Sequence, residues 1–474
     1  MTKQDPSDFL QIHHKMILRR NYEIKILQVS HWFPPKDNAG VELYTFYLSK
    51  ALSARRHEVH VFCREEDPKR EEFSSYREKT DGLEVTRVIN NFTLRSESDP
   101  RLYYDNPFFD RVFLETLKRE RPDLVHVQHL AGHSAHLVRI AKEEGFPLIF
   151  TLHDFFVLCP RIQLLTGDHQ PCPGPLYGLE CVACVRDIFR ISSPPDGRTR
   201  FFLRVKDRLP FPVIKWTKRF FIPPAVLNTR GYEVFHRYRF MHGVLRKCDL
   251  LLTPSRFVRD LFLKYYPFVQ PRIRVLPLGI VPFNSLRRSG TREGTVRFCY
   301  LGNILPFKGV HVLIDAFKAL PQGKATLSLY GGRNPWCGSY AYYDGLQEQA
   351  KGYAVQFRGP YQRERLPEVL EDQDVVVLPS ICPETFSLVV REANLMGLPV
   401  IASRIGAIPE AIEEGRNGFL FEPGNGEELS RWMLRFIEEP DLAKEMASTM
   451  PKAKSMDEHA MEMEEIYKAI LRRN

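Results

Sequence analysis

The 474-residue chain contains no run of 18 uncharged apolar residues, so a membrane-spanning helix is not expected. Residues 1–21 hold His13, His14, Arg19 and Arg20 but no apolar stretch. A secretory leader is therefore not expected, and the expected location is cytoplasmic. No recognised nucleic-acid-binding motif accompanies the basic residues, which argues against a nucleic-acid partner. Composition lacks the bias of disordered or fibrous chains: 43% of residues are hydrophobic and 26% charged, as in ordinary globular proteins. Charge imbalance is absent from most of the chain. The formal net charge is +9, yet Val185 to Lys247 alone holds 15 Lys/Arg against 4 Asp/Glu, which leaves the remainder close to neutral. Eleven aromatic residues are interleaved in that segment, as in Trp216-Thr217-Lys218-Arg219-Phe220-Phe221. Cations mixed with large rings suit an anionic membrane surface, giving a peripheral position on its cytosolic face. A solvated helical face over a core is the plainer alternative.

The length exceeds one compact core and calls for two or three domains, at roughly 100–200 residues each. Short apolar runs alternate with helical patterns: IKILQVS from Ile24, then a helix from Val41 to about Arg55, then EVHVF, LEVTRVI, DLVHVQ, PLIFTL, DLLLTP and RIRVLP. Alternation of this kind marks βαβ units and parallel sheets. A polar stretch over 282–294 interrupts it, and a second series follows: RFCYLG, ATLSLYGG, AVQFRG, DVVVLPS, LPVIAS and GFLFEP. The expected fold class is α/β, with two doubly wound Rossmann-like lobes facing a cleft. In such sheets ligands bind beyond the carboxyl ends of the strands. The expected division is an N-terminal extension (1–21), a first lobe (22–281), a linker (282–294), a second lobe (295–450) and a final helical segment (451–474) crossing back to the first lobe. The first lobe includes a Cys-rich loop (155–185) and the basic, aromatic insertion (186–247).

Three groups of residues stand out for chemistry. Glu384 and Glu392 flank the start of a helix after the strand DVVVLPS. A helix N-terminus suits a diphosphate, and flanking carboxylates can accept from sugar and ribose hydroxyls; as a bare pair they also read as solvated helix carboxylates. His153 follows PLIFTL at its carboxyl end, where an imidazole can donate or accept a hydrogen bond near neutral pH, although a lone histidine there is more often structural. Cys159, Cys172, Cys181 and Cys184 fall within 26 positions, and the last two have the two-residue gap that thiolate ligation favours. A structural zinc is the expectation for these four, with plain thiols as the alternative.

The string PSICPETFSLVVREANLMGLPVIAS resembles the signature of the retaining glycosyltransferases of family 4. LGNILPFKGVHVLIDAF, GAIPEAI, NGFLFEPGN, WFPPKDNAGVE, PDLVHVQHL and TLHDFFVLCPR are similar to further family motifs in the family order. The resemblance implies a GT-B fold and a nucleoside diphosphate sugar donor, with no cofactor required for catalysis. It implies that Glu392 binds the ribose hydroxyls and that Glu384 holds the donor sugar. Backbone amides of Thr385, Phe386 and Ser387 would lie near the sugar and β-phosphate, and Lys308 would neutralise the departing diphosphate. Gly40, Gly302 and Asn303 complete the donor side. His153 would sit at the reaction centre, and Asp154, His129 and Glu42 on the acceptor side. His126 is expected in the core. Three positions depart from the family pattern: Asn303 stands where an arginine is usual, Ala39 precedes Gly40 in place of a glycine, and Ser387 replaces a glycine.

The reading that results is a retaining transferase that moves a sugar to an acceptor hydroxyl, either on a saccharide or on a lipid-linked saccharide at the membrane face. A nucleotide-sugar epimerase and a non-catalytic sugar-nucleotide-binding protein are the alternatives.

Overall fold

A computed structural model describes residues 23–36, 40–91, 100–166, 170–172, 174, 181–184, 231–283, 294–335 and 339–473. The N-terminal extension, Ala39, the linker's central part and residues 185–230 of the basic segment lie outside these.

The apolar runs form strands. In the first lobe these are β1 (Lys25–Ser30), β2 (Glu58–Glu65), β3 (Ser75–Thr80), β4 (Leu83–Ile89), β5 (Leu124–Val127), β6 (Leu148–Thr151), β7 (Leu250–Thr253) and β8 (Ile273–Val275). They join in the order β3-β4-β2-β1-β5-β6-β7-β8. The second lobe holds β9 (Val296–Leu301), β10 (Ala325–Tyr330), β11 (Val355–Gly359), β12 (Val375–Leu378), β13 (Val400–Ser403) and β14 (Gly418–Phe421), in the order β11-β10-β9-β12-β13-β14. All of its pairings are parallel.

Both sheets are buried on two faces, which is why their strands read as continuous apolar runs rather than as alternating ones. In β1, Leu27 and Val29 enter one core cluster while Ile26 enters the other. In β9, Phe298 and Tyr300 face one cluster, Cys299 and Leu301 its opposite. The sequence reading missed β3. Its residues SYREKT contain no apolar run and lie at an edge, half-buried or exposed. What forms it is the Asp81-Gly82 turn, both residues in the left-handed region (φ 51° and 84°), which folds β3 antiparallel onto β4.

Helices α1 (Gly40–Ala54), α3 (Leu388–Leu395) and α4 (Met456–Leu471) contribute residues to the cleft, and α2 (Gly231–Lys247) packs into the first lobe's core. Helix α4 opens with a capping box, in which Ser455 accepts from the N–H of Glu458 and Glu458 accepts from that of Ser455. Its Met456, Ala460, Met463, Tyr467 and Ile470 join Tyr44, Leu48 and Leu52 of α1 in one apolar cluster against the first sheet. The last helix of the chain therefore packs on the first lobe. Phe386 of the second lobe is part of the same cluster. Polar contacts also bridge the lobes: the Glu410 carboxylate accepts from the N–H groups of Arg256 (3.0 Å) and Phe257 (2.7 Å).

Candidate active site

A cleft of ≈ 1020 Å³ opens between the carboxyl ends of the two sheets. Every residue that sequence assigned to the donor and acceptor sides lines it.

On the second-lobe wall, β9 leads through Gly302 into a short turn, Pro306–Lys308, and then Gly309. Gly309 has φ 73°, and a Cβ there would lie 1.9 Å from the carbonyl oxygen of Pro379. Only glycine lets this turn sit against the end of β12, and that approach sets Lys308 beside the loop after it. Lys308 Nζ donates to Glu384 Oε1 at 2.7 Å, and Ser380 Oγ donates to the same oxygen at 3.0 Å. Burial works against the ammonium, but the Glu384 carboxylate outweighs it and holds the lysine above its ordinary range.

Glu392 lies on the second turn of α3 and is 5% exposed. Burial raises its pKa; Arg363, whose Nε donates to Glu392 Oε1 at 2.7 Å, opposes that rise. Arg363 itself rests over the rings of Phe283 (4.6 Å) and Tyr47 (5.3 Å) and donates to the carbonyl of Val281. The sequence reading did not single out Arg363. It sits in GPYQRERLPEVL among other charged residues, and only its stacking partners distinguish it.

The loop before α3 is held by Arg391, whose guanidinium stacks 3.6 Å from the Phe386 ring and donates to the Phe386 carbonyl. Burial lowers Arg391 to about 10. Ser387 adopts φ 57°, the left-handed region, and its buried hydroxyl has no hydrogen-bond partner. A glycine would occupy this conformation without strain. Asn303 is exposed; its carbonyl accepts from Tyr300 and its side-chain oxygen from Asn334.

On the first-lobe wall, Gly40 begins α1, and a Cβ there would meet Leu388 at 3.4 Å. Glu42, two residues on, is 1% exposed, and burial raises its pKa. Its Oε1 lies 3.0 Å from His31 Nε2, while its Oε2 has no partner. His31 was not anticipated. Its ring packs 4.0 Å from that of His129. His129 Nδ1 accepts from the N–H of Ala131 (3.0 Å), so its Nε2–H is the group that donates to Asp154. Desolvation disfavours the Asp154 carboxylate, but His129 and the Phe156 N–H hold its pKa below the usual value.

His153 lies at the end of β6, 7% exposed, with Nε2 2.8 Å from Gln128 Oε1. Burial lowers its pKa to about 3. A neutral imidazole keeps one donor and one acceptor nitrogen near neutral pH, and here Nε2 faces Gln128. His126 is fully buried, hydrogen-bonded to Tyr467 and Thr151.

The expectation of a zinc held by four cysteines finds no support. Among the described residues, no three of the sulfurs of Cys159, Cys172, Cys181 and Cys184 come within 4.8 Å of one another. Cys184 Sγ donates to the Leu165 carbonyl and Cys172 Sγ accepts from the Gly174 N–H. Spacing alone cannot bring these loop sulfurs together. The one grouping of ligand-type side chains among the described residues is Asp105, Asp110 and His136, outside the cleft, where His136 Nδ1 is already bonded to Asp110 at 3.0 Å. Among the described residues, no helix is long and apolar enough to cross a membrane.

Comparison with known proteins adds independent support. Residues 283–453 match the family of glycosyl transferases group 1, and residues 38–178 match glycosyltransferase family 4. A sulfoquinovosyl transferase of Arabidopsis thaliana is 33% identical over 221 residues, 44% of this chain and 41% of that protein. A glycogen synthase of Mycobacterium tuberculosis is 25% identical over 433 residues, 90% and 88% of the two chains. The matched stretch spans about two-fifths of the length of the first curated relatives. Among solved structures, a sucrose-phosphate synthase from Thermosynechococcus elongatus superposes with a TM-score of 0.66 at 18% identity, over 95% of this chain and 99% of that one. Two parallel Rossmann-like sheets, the motifs at their carboxyl ends and these matches together identify the chain as a member of the family 4 (group 1) glycosyltransferases, with the GT-B fold.

Proposed function

We propose that the protein is a retaining glycosyltransferase that moves a sugar from a nucleoside diphosphate sugar to an acceptor hydroxyl. The observation that carries this reading is the convergence of Lys308, Glu384 and Glu392 on one cleft wall, opposite His153. Breaking the bond to a diphosphate develops negative charge on the leaving oxygen. Lys308 and the N-terminus of α3 are fixed positive ends that lower that barrier. Glu384, aligned by Lys308 and Ser380, holds the sugar's hydroxyls, and Glu392 accepts from the ribose hydroxyls. The departing phosphate serves as base for the attacking acceptor, and attack from the same face retains configuration. Gly40 and Gly302 let the donor's phosphates approach the backbone closely, and Asn303 lies beside them without the cation usual there. Asp154, His129 and Glu42 face the acceptor.

The acceptor we favour is a lipid-linked saccharide at the cytosolic membrane face. Its support is the basic, aromatic composition of the 185–247 segment. Two assays test the whole reading. Sugar nucleotides carrying each of the five common bases are incubated with candidate acceptors, and nucleoside diphosphate release and product anomer are measured. Acceptor-dependent release with retained configuration supports the function. Epimerised sugar nucleotide without an acceptor, or an inverted product, overturns it. Flotation with anionic liposomes at low salt tests the membrane acceptor, and failure to co-float overturns that part.

A further inference from the structure

His153 touches two side chains that both lead to the C-terminal helix. Its ring packs on Tyr44 with centroids 4.8 Å apart, and the Tyr44 hydroxyl is 2.7 Å from Nε2 of His459 on α4. The other route runs through side-chain amides. His153 Nε2 meets Gln128 Oε1 at 2.8 Å, Gln128 Nε2 donates to Gln28 Oε1 at 2.8 Å, and Gln28 Nε2 donates to the Tyr467 hydroxyl at 3.4 Å. The Tyr467 hydroxyl lies 2.7 Å from His126 Nδ1, and His126 Nε2 lies 2.7 Å from Thr151 Oγ1. Gln28, His126, Gln128 and Tyr467 are all fully buried, so water cannot substitute for a misdirected partner.

Such a chain has a direction. Gln28 Nε2 donates to the Tyr467 hydroxyl and Gln128 Nε2 donates to Gln28 Oε1, so the amide chain runs one way from the C-terminal helix. Gln28 then presents its carbonyl end to Gln128, and Gln128 presents its carbonyl end to His153. Only an Nε2–H on His153 satisfies that oxygen. Its remaining nitrogen, Nδ1, has no hydrogen-bond partner among the described residues and is a lone-pair acceptor on a cleft-lining ring.

We infer that Gln128 and Tyr467 are positioning residues that lock His153 in the Nε2–H tautomer, which keeps Nδ1 an acceptor on the cleft side, where the family resemblance places the donor sugar. The inference rests on the reading of the cleft as a sugar-nucleotide transferase. It deepens that reading in one respect: a bound donor that covers Nδ1 but lacks the hydroxyl leaves this acceptor unpaired, which discriminates against deoxy sugars. It also explains why a helix at the far end of the chain is tied to this histidine, since reversing the amide chain would turn an acceptor into a donor.

The test is long-range ¹H–¹⁵N correlation of histidine-labelled full-length protein near pH 7, with His153 assigned through His153→Gln. It is run beside steady-state kinetics and nucleotide binding for wild type, Gln128→Leu and the milder Tyr467→Phe. We expect the wild type to show Nε2–H. In the variants we expect the Nδ1–H form to appear and kcat to fall about tenfold or more, with the nucleoside diphosphate Kd unchanged within about twofold. A wild-type ring protonated on Nδ1 overturns the inference, and so does a variant whose tautomer shifts with no change in kcat. The spectroscopic arm needs no activity. The expected tautomer in a protein that turns over no sugar nucleotide therefore counts against the proposed function, whereas the wrong tautomer in an active enzyme counts against this inference alone.

Discussion

Lys308 and Glu384 stand 76 residues apart in the chain and meet at 2.7 Å, donor nitrogen to carboxylate oxygen, at the floor of the cleft. Each fixes the other's direction. Lys308 keeps its charge because the carboxylate is there, and Glu384 keeps its orientation because Lys308 and Ser380 both donate to Oε1. In the proposed role its second oxygen takes a ligand hydroxyl.

Replacing Lys308 with Met should therefore remove charge stabilisation that matters most as the diphosphate leaves. A fall in kcat/KM of about 100- to 1000-fold is expected, as for loss of an oxyanion-stabilising donor. Steady-state kinetics with the preferred sugar nucleotide checks it; a loss below about fivefold would show that the cation acts elsewhere.

Glu392 should behave differently. It is buried, faces Arg363 and has no position near the leaving oxygen in the proposed role. Glu392→Ala should weaken nucleoside diphosphate binding by about 1.5–3 kcal/mol, the range for a hydrogen bond to a charged group. At saturating donor, kcat should change little. Calorimetric titration with the nucleotide separates the two effects.

Ser387 carries a cost that a glycine would not. Its φ of 57° and its unpartnered hydroxyl both disfavour the folded state. Ser387→Gly should raise stability by about 1 kcal/mol, after the extra unfolded-state freedom of glycine offsets part of the relief. Thermal unfolding of the two proteins checks the sign, and a lower Tm for the variant would mean that the hydroxyl has a partner in solution.

Acid should destabilise the fold earlier than carboxylate protonation alone predicts. Burial lowers His153 and His459 to about 3 and pushes His31, His126 and His133 well below the ordinary value. A histidine depressed in the folded state binds its proton first in the unfolded state. Its contribution is therefore fully present above about pH 6.5, the unfolded value, and is lost as pH falls toward the folded one. Each such group removes up to about 1.4 kcal/mol per pH unit in that window. Denaturant midpoints measured from pH 7.5 to 5 should drop steadily; a flat profile above pH 5 would contradict the buried neutral rings.

Much of this architecture was legible because strands buried on both faces must be apolar throughout, and such runs survive in a single sequence. The candidate donor-side residues Lys308, Glu384 and Glu392 came from the family resemblance of the motifs that carry them, and the structure brings all three to one cleft. What the sequence did not disclose depends on long-range packing. β3 lacks an apolar run, and Arg363 is marked only by the rings it rests on. His31, Gln128 and Tyr467 gain meaning only when β1, β5, β6 and α4 are brought together. The Cys quartet failed in the opposite direction. Cys181-Val182-Ala183-Cys184 has suitable spacing, but among the described residues no three of the four sulfurs lie within 4.8 Å of one another.

The central claim is that this cleft grips a nucleoside diphosphate through Lys308 and Glu392. The most direct measurement is thermal unfolding of the wild type and of Lys308→Met and Glu392→Ala with UDP, GDP, ADP, CDP and dTDP. At 100 times its Kd a ligand stabilises the folded state by about 2.7 kcal/mol, a readily measured shift. The account predicts a clear rise in Tm for one base with the wild type, reduced in both variants. No shift with any of the five, or an equal shift in all three proteins, would contradict it.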